Sequence, residues 1–243
     1  MTPAPFVLFG PAHLSAIALT LLVPLALAAI TRTRAKVERG VRLAFAAWLI
    51  GTWVLWLWMI FGRGWASAQT LLPMHLCDWA TLAAIVTLIR PNQRSYELTY
   101  FWALAATFQA MLTPDLAFDF PDLRFVVFFA FHGGVIAAVL YLTFGMGMRP
   151  IPASLPRVIA WSFAYLGAAG AVDWLLKVNF GYLRAKPVQA SLLDALAPWP
   201  WYIGELAVLG VASVLIWYAP WFVADRIRAR RPDRRAQTSR ERP

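Results

Sequence analysis

The chain has a single cysteine, Cys77, among 243 residues, and only three histidines. One cysteine excludes an intrachain disulfide and any zinc site built from several thiolates. Charge is also scarce: 14% of residues are charged and 60% hydrophobic, whereas a soluble domain has about a quarter charged and under half apolar. An ordinary soluble enzyme and a disordered chain are thereby excluded. Long polar stretches are missing too. Every connector between apolar runs is short except residues 177–201, so no soluble domain remains, and no internal repeat is visible.

Present instead are seven apolar runs, at 11–30, 41–61, 71–89, 98–112, 125–144, 156–176 and 202–222. Crossing a bilayer takes roughly 20 such residues. The fourth run is the shortest and is interrupted by Thr107 and Gln109. The first lacks a basic segment before it and is too long for a signal-peptide core. The expected fold is all-α, a polytopic membrane protein with a seven-helix bundle over residues 1–224. Residues 225–243 are expected to form a basic, disordered tail, given their arginines and prolines.

The net charge of +10 and sequence pI near 10.5 would suit nucleic acid if they formed a face, but they do not. Residues 31–42 hold a net +4 and residues 225–243 a net +5, leaving the rest nearly neutral. Four connectors on one side carry 17 of the 22 Lys and Arg. The other side has Arg63, Arg124, Lys177, Arg184 and Lys186. The positive-inside rule then places the N-terminus outside and the C-terminus in the cytoplasm. No nucleic-acid partner is expected.

Ionisable residues inside a span are costly and are functional candidates by default. His13 lies near the start of the first run. His75, Cys77 and Asp78 open the third; Thr107, Gln109 and Thr113 close the fourth. His132 is in the fifth, Asp173 and Lys177 end the sixth, and Glu205 begins the seventh. With the orientation above, all fall in the outer half of the membrane. That one-sidedness suggests a single polar pocket, whereas a transporter would carry such groups through the whole thickness. For the lone thiol the attractive role is nucleophile, with an adjacent base to ionise it. On a continuous helix His75 would point away from Cys77, about 200° round, so His132, at similar depth on another helix, is the better base. His75 and Asp78 would share a face. His75, Asp78, Gln109, Asp173, Glu205 and His13 are supporting pocket candidates, His75 and Gln109 as donors to an oxyanion. No tight ligand spacing supports a metal, and no cofactor is implied. Lys177, Arg184 and Lys186, beside the aromatic Pro198-Trp199-Pro200-Trp201-Tyr202 stretch, suit phospholipid headgroups.

Several strings carry a family resemblance: Pro73-Met74-His75-Leu76-Cys77, residues 100–112 running into Thr113-Pro114-Asp115, Phe131-His132-Gly133-Gly134, residues 179–187, and residues 191–203. In this order they resemble the YwaF-like integral membrane proteins, a family that includes an animal acyltransferase of the endoplasmic reticulum making polyunsaturated ether phospholipids. The resemblance implies a catalytic cysteine and histidine matching Cys77 and His132. Ala197 stands where the family pattern has glycine. The arginine- and alanine-rich composition fits a bacterium, hence the cytoplasmic (inner) membrane. The expected activity is acyl transfer from a phospholipid to a lysophospholipid through a Cys77 thioester at the extracytoplasmic leaflet. Alternatives are a lipid ester hydrolase using the same pair, since the chain is also akin to multi-span threonine/histidine lipid hydrolases, and a transporter or non-catalytic receptor or assembly factor.

Overall fold

A computed structural model describes residues 4–32, 34–188 and 191–230. It is all-helical, and among the described residues the only β-type contact is one antiparallel bridge, Pro5 to Phe118. Helix α1 spans Pro11–Thr31 and α2 Ala35–Gly62. The third traverse is broken into α3 (Ala68–Leu71) and α4 (Leu76–Ile89). The fourth runs unbroken through α5 (Gln93–Trp102), a π-helical turn (Ala103–Thr107) and α6 (Phe108–Leu112). Helix α7 (Leu123–Leu140) ends in a second π-turn, Tyr141–Gly145. Helices α8 (Ser154–Leu176) and α9 (Trp201–Arg230) complete the bundle.

Among the described residues six traverses are long and apolar enough to cross a membrane. The seventh, 93–112, is a helix of about 30 Å at 1.5 Å per residue, although its first turns are polar. Those polar residues are satisfied internally: buried Glu97 receives a bidentate Arg157 guanidinium (2.6 and 2.9 Å) and the Gln93 amide (2.9 Å). The run expected to start at 98 therefore starts at 93. Two further expectations are corrected. The 71–89 run is not one helix, because Pro73 lacks the N–H a helix needs there and residues 72–75 leave helical geometry. The tail expected to be disordered from 225 instead continues α9 to Arg230, where Asp225 pairs with Arg149. Residues 231–243 lie outside the described residues.

Cross-helix bonds define two ends of the bundle. At one end, which holds the histidines, His13 at the start of α1 meets Met111 at the end of α6, and Gln69 before α4 meets Asn179 after α8. At the other, Arg42 reaches the last carbonyls of α4, Leu88 and Ile89, and Arg157 meets Glu97. Three apolar clusters hold the helices. One joins α2, α4, α5, α7, α8 and α9 around Leu49, Ala84, Phe101, Val135 and Leu142. A second joins α1, α6 and α7 around Met111, Phe125 and Phe129. The third seats the segment after α8 on α4, α8 and α9 through Tyr165, Ala169 and Phe180.

Candidate active site

The first and third clusters meet at the broken start of α4. Leu76 and Trp79 pack against both the first and third, while Phe108 and Phe128 belong to the second. His75 is the N-cap of α4, with extended backbone (φ −75°, ψ 150°), and Cys77 is its second helical residue. The angular argument that set His75 against Cys77 therefore does not apply, since His75 is off the helix. Asp78 does not share a helix face with it either. Its Oδ2 accepts the His75 backbone N–H at 2.8 Å, the reciprocal half of a capping box. Asp78 is thus engaged in starting the helix on which the thiol sits.

His132 lies about 14 Å into α7, nine residues past Leu123. Its Nδ1 is 2.9 Å from the Phe128 carbonyl. A carbonyl only accepts, so Nδ1 carries the ring proton and Nε2 presents a lone pair. The ring stacks on Phe128 (4.1 Å, 25°) and stands edge-on to Phe131. The two glycines after it set its direction. A Cβ on Gly133 would lie 2.4 Å from Thr20 of α1, and one on Gly134 2.9 Å from Leu49 of α2. With those sides of α7 closed against α1 and α2, His132 turns elsewhere, within electrostatic range of His75 at the start of α4.

The π-turn packs against α4 and brings the Thr107 hydroxyl to the thiol. Thr107 is fully buried, and its hydroxyl has no well-formed hydrogen bond among the described residues. Among the described residues Cys77 and His132 make no hydrogen bond to each other. His75 lies within electrostatic range of His132, and Tyr165 and Tyr182 within range of Cys77. Met74, His75, Leu76, Cys77, Asp78, Trp79, Phe128 and His132 all keep some accessible surface. One turn deeper Ala80, Thr81, Ala84, Val135 and Ala138 are sealed. The layer beneath the site is closed.

The other expected site residues distribute differently. His13 stands apart: its Nδ1 accepts the Phe9 N–H (3.0 Å) and its Nε2 donates to the Met111 carbonyl (2.8 Å), so both nitrogens are engaged in joining α1 to α6. Glu205 is exposed, accepts the Ala197 N–H at 2.8 Å, and lines an apolar groove of about 480 Å³ beside α9. Gln109 turns along its own helix to Thr113 (3.2 Å). Asp173 is buried beneath the segment after α8 and accepts the Phe180 N–H at 2.7 Å; its second oxygen has no partner among the described residues. Of the three cations, Lys186 donates to the Leu196 carbonyl (2.8 Å) and lies over Tyr202, and Lys177 lies over Trp174. Arg184 is exposed, with one long bond to Val178 (3.4 Å). Among the described residues no three His, Cys, Asp or Glu gather as metal ligands.

Sequence reasoning missed the residues that frame the site. Gln69 holds the Asn179 backbone through both amide atoms and approaches His75 at 3.4 Å. Asn179 in turn accepts from the Arg184 and Ala185 amides. Tyr182 contacts Asp115 at 3.4 Å, and burial, helped by that carboxylate, pushes its phenol up. Asn179 and Tyr182 lay inside a family-like string, which was the available signal; Gln69 had none.

Neither a curated protein nor a solved structure matches the chain. A family model does: that of the TMEM164 family, over residues 8–218. The match covers all seven traverses except the end of α9. It gives the family that name, and not the YwaF-like one that the motif strings suggested; the chain belongs to the TMEM164 family.

Proposed function

We propose that this protein transfers acyl chains between membrane lipids through a thioester on Cys77, with His132 as base. The observation that carries the reading is the position of the thiol. The chain's one cysteine sits in the first turn of a helix that begins inside the span, where the leading N–H groups have no acceptor one turn back in their own helix. A helix N-terminus favours a thiolate and can bind an oxyanion. The Leu76 amide, directed at the Tyr165 hydroxyl without substrate, and the Cys77 amide are the donors we assign to the tetrahedral oxygen, in place of Gln109, whose amide turns to Thr113.

In the first half-reaction the thiol proton passes to His132 Nε2 as sulfur bonds to an ester carbonyl carbon of a phospholipid. The ester C–O bond breaks, and His132 returns the proton to the leaving lysophospholipid oxygen. In the second, a lysophospholipid hydroxyl gives its proton to His132 and attacks the thioester, the C–S bond breaks, and the thiolate is reprotonated. Water as acceptor would make the same site a hydrolase. Thiol and imidazole close on each other when substrate binds, as catalytic hydrogen bonds often tighten only in the complex. The sealed layer below the site favours this reading over a transporter. We place the histidine end at the extracytoplasmic leaflet of a bacterial inner membrane, because the opposite end carries most of the Lys and Arg. Arg184 is then the cation freest to meet a headgroup phosphate.

The test is purified protein in nanodiscs with an acyl-labelled phospholipid and a lysophospholipid, followed by intact mass and lipid analysis. The expected results are an acyl adduct on Cys77 and labelled acceptor, both lost in Cys77→Ala, with turnover falling by about 10²–10⁴ in His132→Ala. Labelled fatty acid in place of labelled acceptor would select the hydrolase. Neither adduct nor acyl movement would overturn the reading.

A further inference from the structure

Thr107 is anomalous among the buried threonines. Thr31, Thr81, Thr87 and Thr99 each donate to the carbonyl four residues back, Thr52 to the one three back, and Thr143 pairs with the Tyr96 phenol. For Thr107 the carbonyl four back is Ala103, and across the π-turn that oxygen takes the Phe108 N–H. The hydroxyl is left fully buried without a well-formed bond, next to the Cys77 sulfur. A buried, unpaired hydroxyl is unfavourable, and an isolated π-turn within an α-helix is frequently a functional feature. Both irregularities fall at one residue, and that residue faces the chain's only thiol.

We infer that Thr107 is a positioning residue for the nucleophile: its hydroxyl donates to the Cys77 sulfur as the thiol proton leaves, and fixes the direction in which the sulfur attacks. The π-turn exists to withhold the hydroxyl from its own helix and aim it across to α4. A hydrogen bond to a developing thiolate is charge-assisted and stronger than a neutral one. It adds to the helix N-terminus, which acts on the same sulfur through the backbone. The other titratable groups around the thiol are His75 and Asp78 on its own element, Tyr165 on α8 and Tyr182 after α8, with His132 of α7 in range of His75. None of them makes a hydrogen bond to the sulfur among the described residues. The inference rests on Cys77 being the nucleophile, yet its test does not require acyl transfer.

Because Cys77 is the only cysteine, its reaction with N-ethylmaleimide reports one site. The thiolate adds to the maleimide double bond and the proton ends on the neighbouring carbon. Thr107→Val keeps shape and removes only the hydroxyl. We expect it to slow alkylation of folded protein at pH 7.5 by between about ten- and a hundredfold, to leave thermal stability equal or higher, and Thr107→Ser to restore the rate. Thr81→Val is the control, since that hydroxyl bonds the Cys77 carbonyl and not its sulfur. Should the Val variant misfold, the comparison passes to Thr107→Ala against Thr107→Ser. Equal alkylation rates with and without the hydroxyl, or an equal loss in Thr81→Val, would overturn the inference. Slowed alkylation in a protein that moves no acyl chains would uphold Thr107 and overturn the proposed function. Acyl transfer with unchanged alkylation would do the reverse.

Discussion

The fourth traverse carries Thr107 at one end and is anchored at the other by a single ion pair, so that pair should be worth measuring. The Glu97 side chain is 1% exposed and the Arg157 side chain 40%. Arg157→Met removes both guanidinium bonds and leaves a buried carboxylate facing the Gln93 amide. Breaking a fully buried pair from one side costs about 3–5 kcal/mol; with the guanidinium partly exposed, the low end, about 3 kcal/mol, applies. Adding Glu97→Gln removes the stranded charge and keeps the shape, so the double variant should lose only about 1–2 kcal/mol, that of imperfectly paired amides. At about 2–4 °C per kcal/mol for a chain of this size, the single variant should melt roughly 6–12 °C lower and the double should recover about one to two thirds of that. A thiol-reactive fluorogenic dye provides the assay, because Cys77 is the only cysteine and becomes fully accessible on unfolding. A fall of under about 2 °C in Arg157→Met, or a double variant less stable than the single, would refute the reasoning.

Two further outcomes follow from the same geometry. His13→Phe leaves the Met111 carbonyl and the Phe9 amide without their imidazole and should cost about 1–3 kcal/mol, while the alkylation rate of folded Cys77 stays unchanged; a slower rate would return His13 to the site. Asp122, the N-cap residue of α7, is held down to about 2 chiefly by hydrogen bonds from Arg124. A depressed carboxylate stabilises the fold above its unfolded value near 3.9 and loses that contribution as pH falls through 2. The melting difference between wild type and Asp122→Asn should therefore be present at pH 7 and vanish by about pH 2; a difference that persists in acid would locate the effect elsewhere.

The spans were legible because hydropathy integrates over about 20 residues and the lipid demands it. Where single side chains decide, the sequence was less explicit. Glu97 reads as a polar residue at the edge of an apolar run, and nothing local shows that Arg157, sixty residues on, completes its pairing and extends the helix to Gln93. Asp225 and Arg149 hold α9 in the same non-local way. That His75, Cys77, Asp78 and His132 group toward one end of the bundle was an expectation from hydropathy and charge. Their roles were not legible. Whether Asp78 faces a substrate or caps a helix depends on where that helix starts, and Pro73 marks a break without locating it. His13 illustrates the converse: a membrane histidine with both nitrogens engaged structurally is indistinguishable in sequence from one with a free lone pair.

The break in the third traverse is also where the hydrogen-bond accounting becomes informative. Irregular backbone at membrane depth persists only where its polar groups are paired or line a cavity. Here the exposed carbonyls are collected by large side chains: Trp56 Nε1 donates to Thr70 (3.2 Å) and the Tyr165 hydroxyl to Met74 (3.2 Å). The amides are paired just as closely, Leu72 to Ala68, Met74 to Leu72, His75 to the Asp78 carboxylate, and Asp78 and Trp79 to the His75 carbonyl. The Leu76 and Cys77 amides are the first of α4, where a helix has no acceptor of its own. The Leu76 amide is directed at the Tyr165 hydroxyl and the Cys77 amide at its own sulfur, so polar groups of the break converge on the one thiol. Beside it stands a threonine without its usual partner among the described residues. Such groups are costly in a low-dielectric interior unless something polar meets them, and a thiolate at Cys77, as the proposed function requires, would meet both.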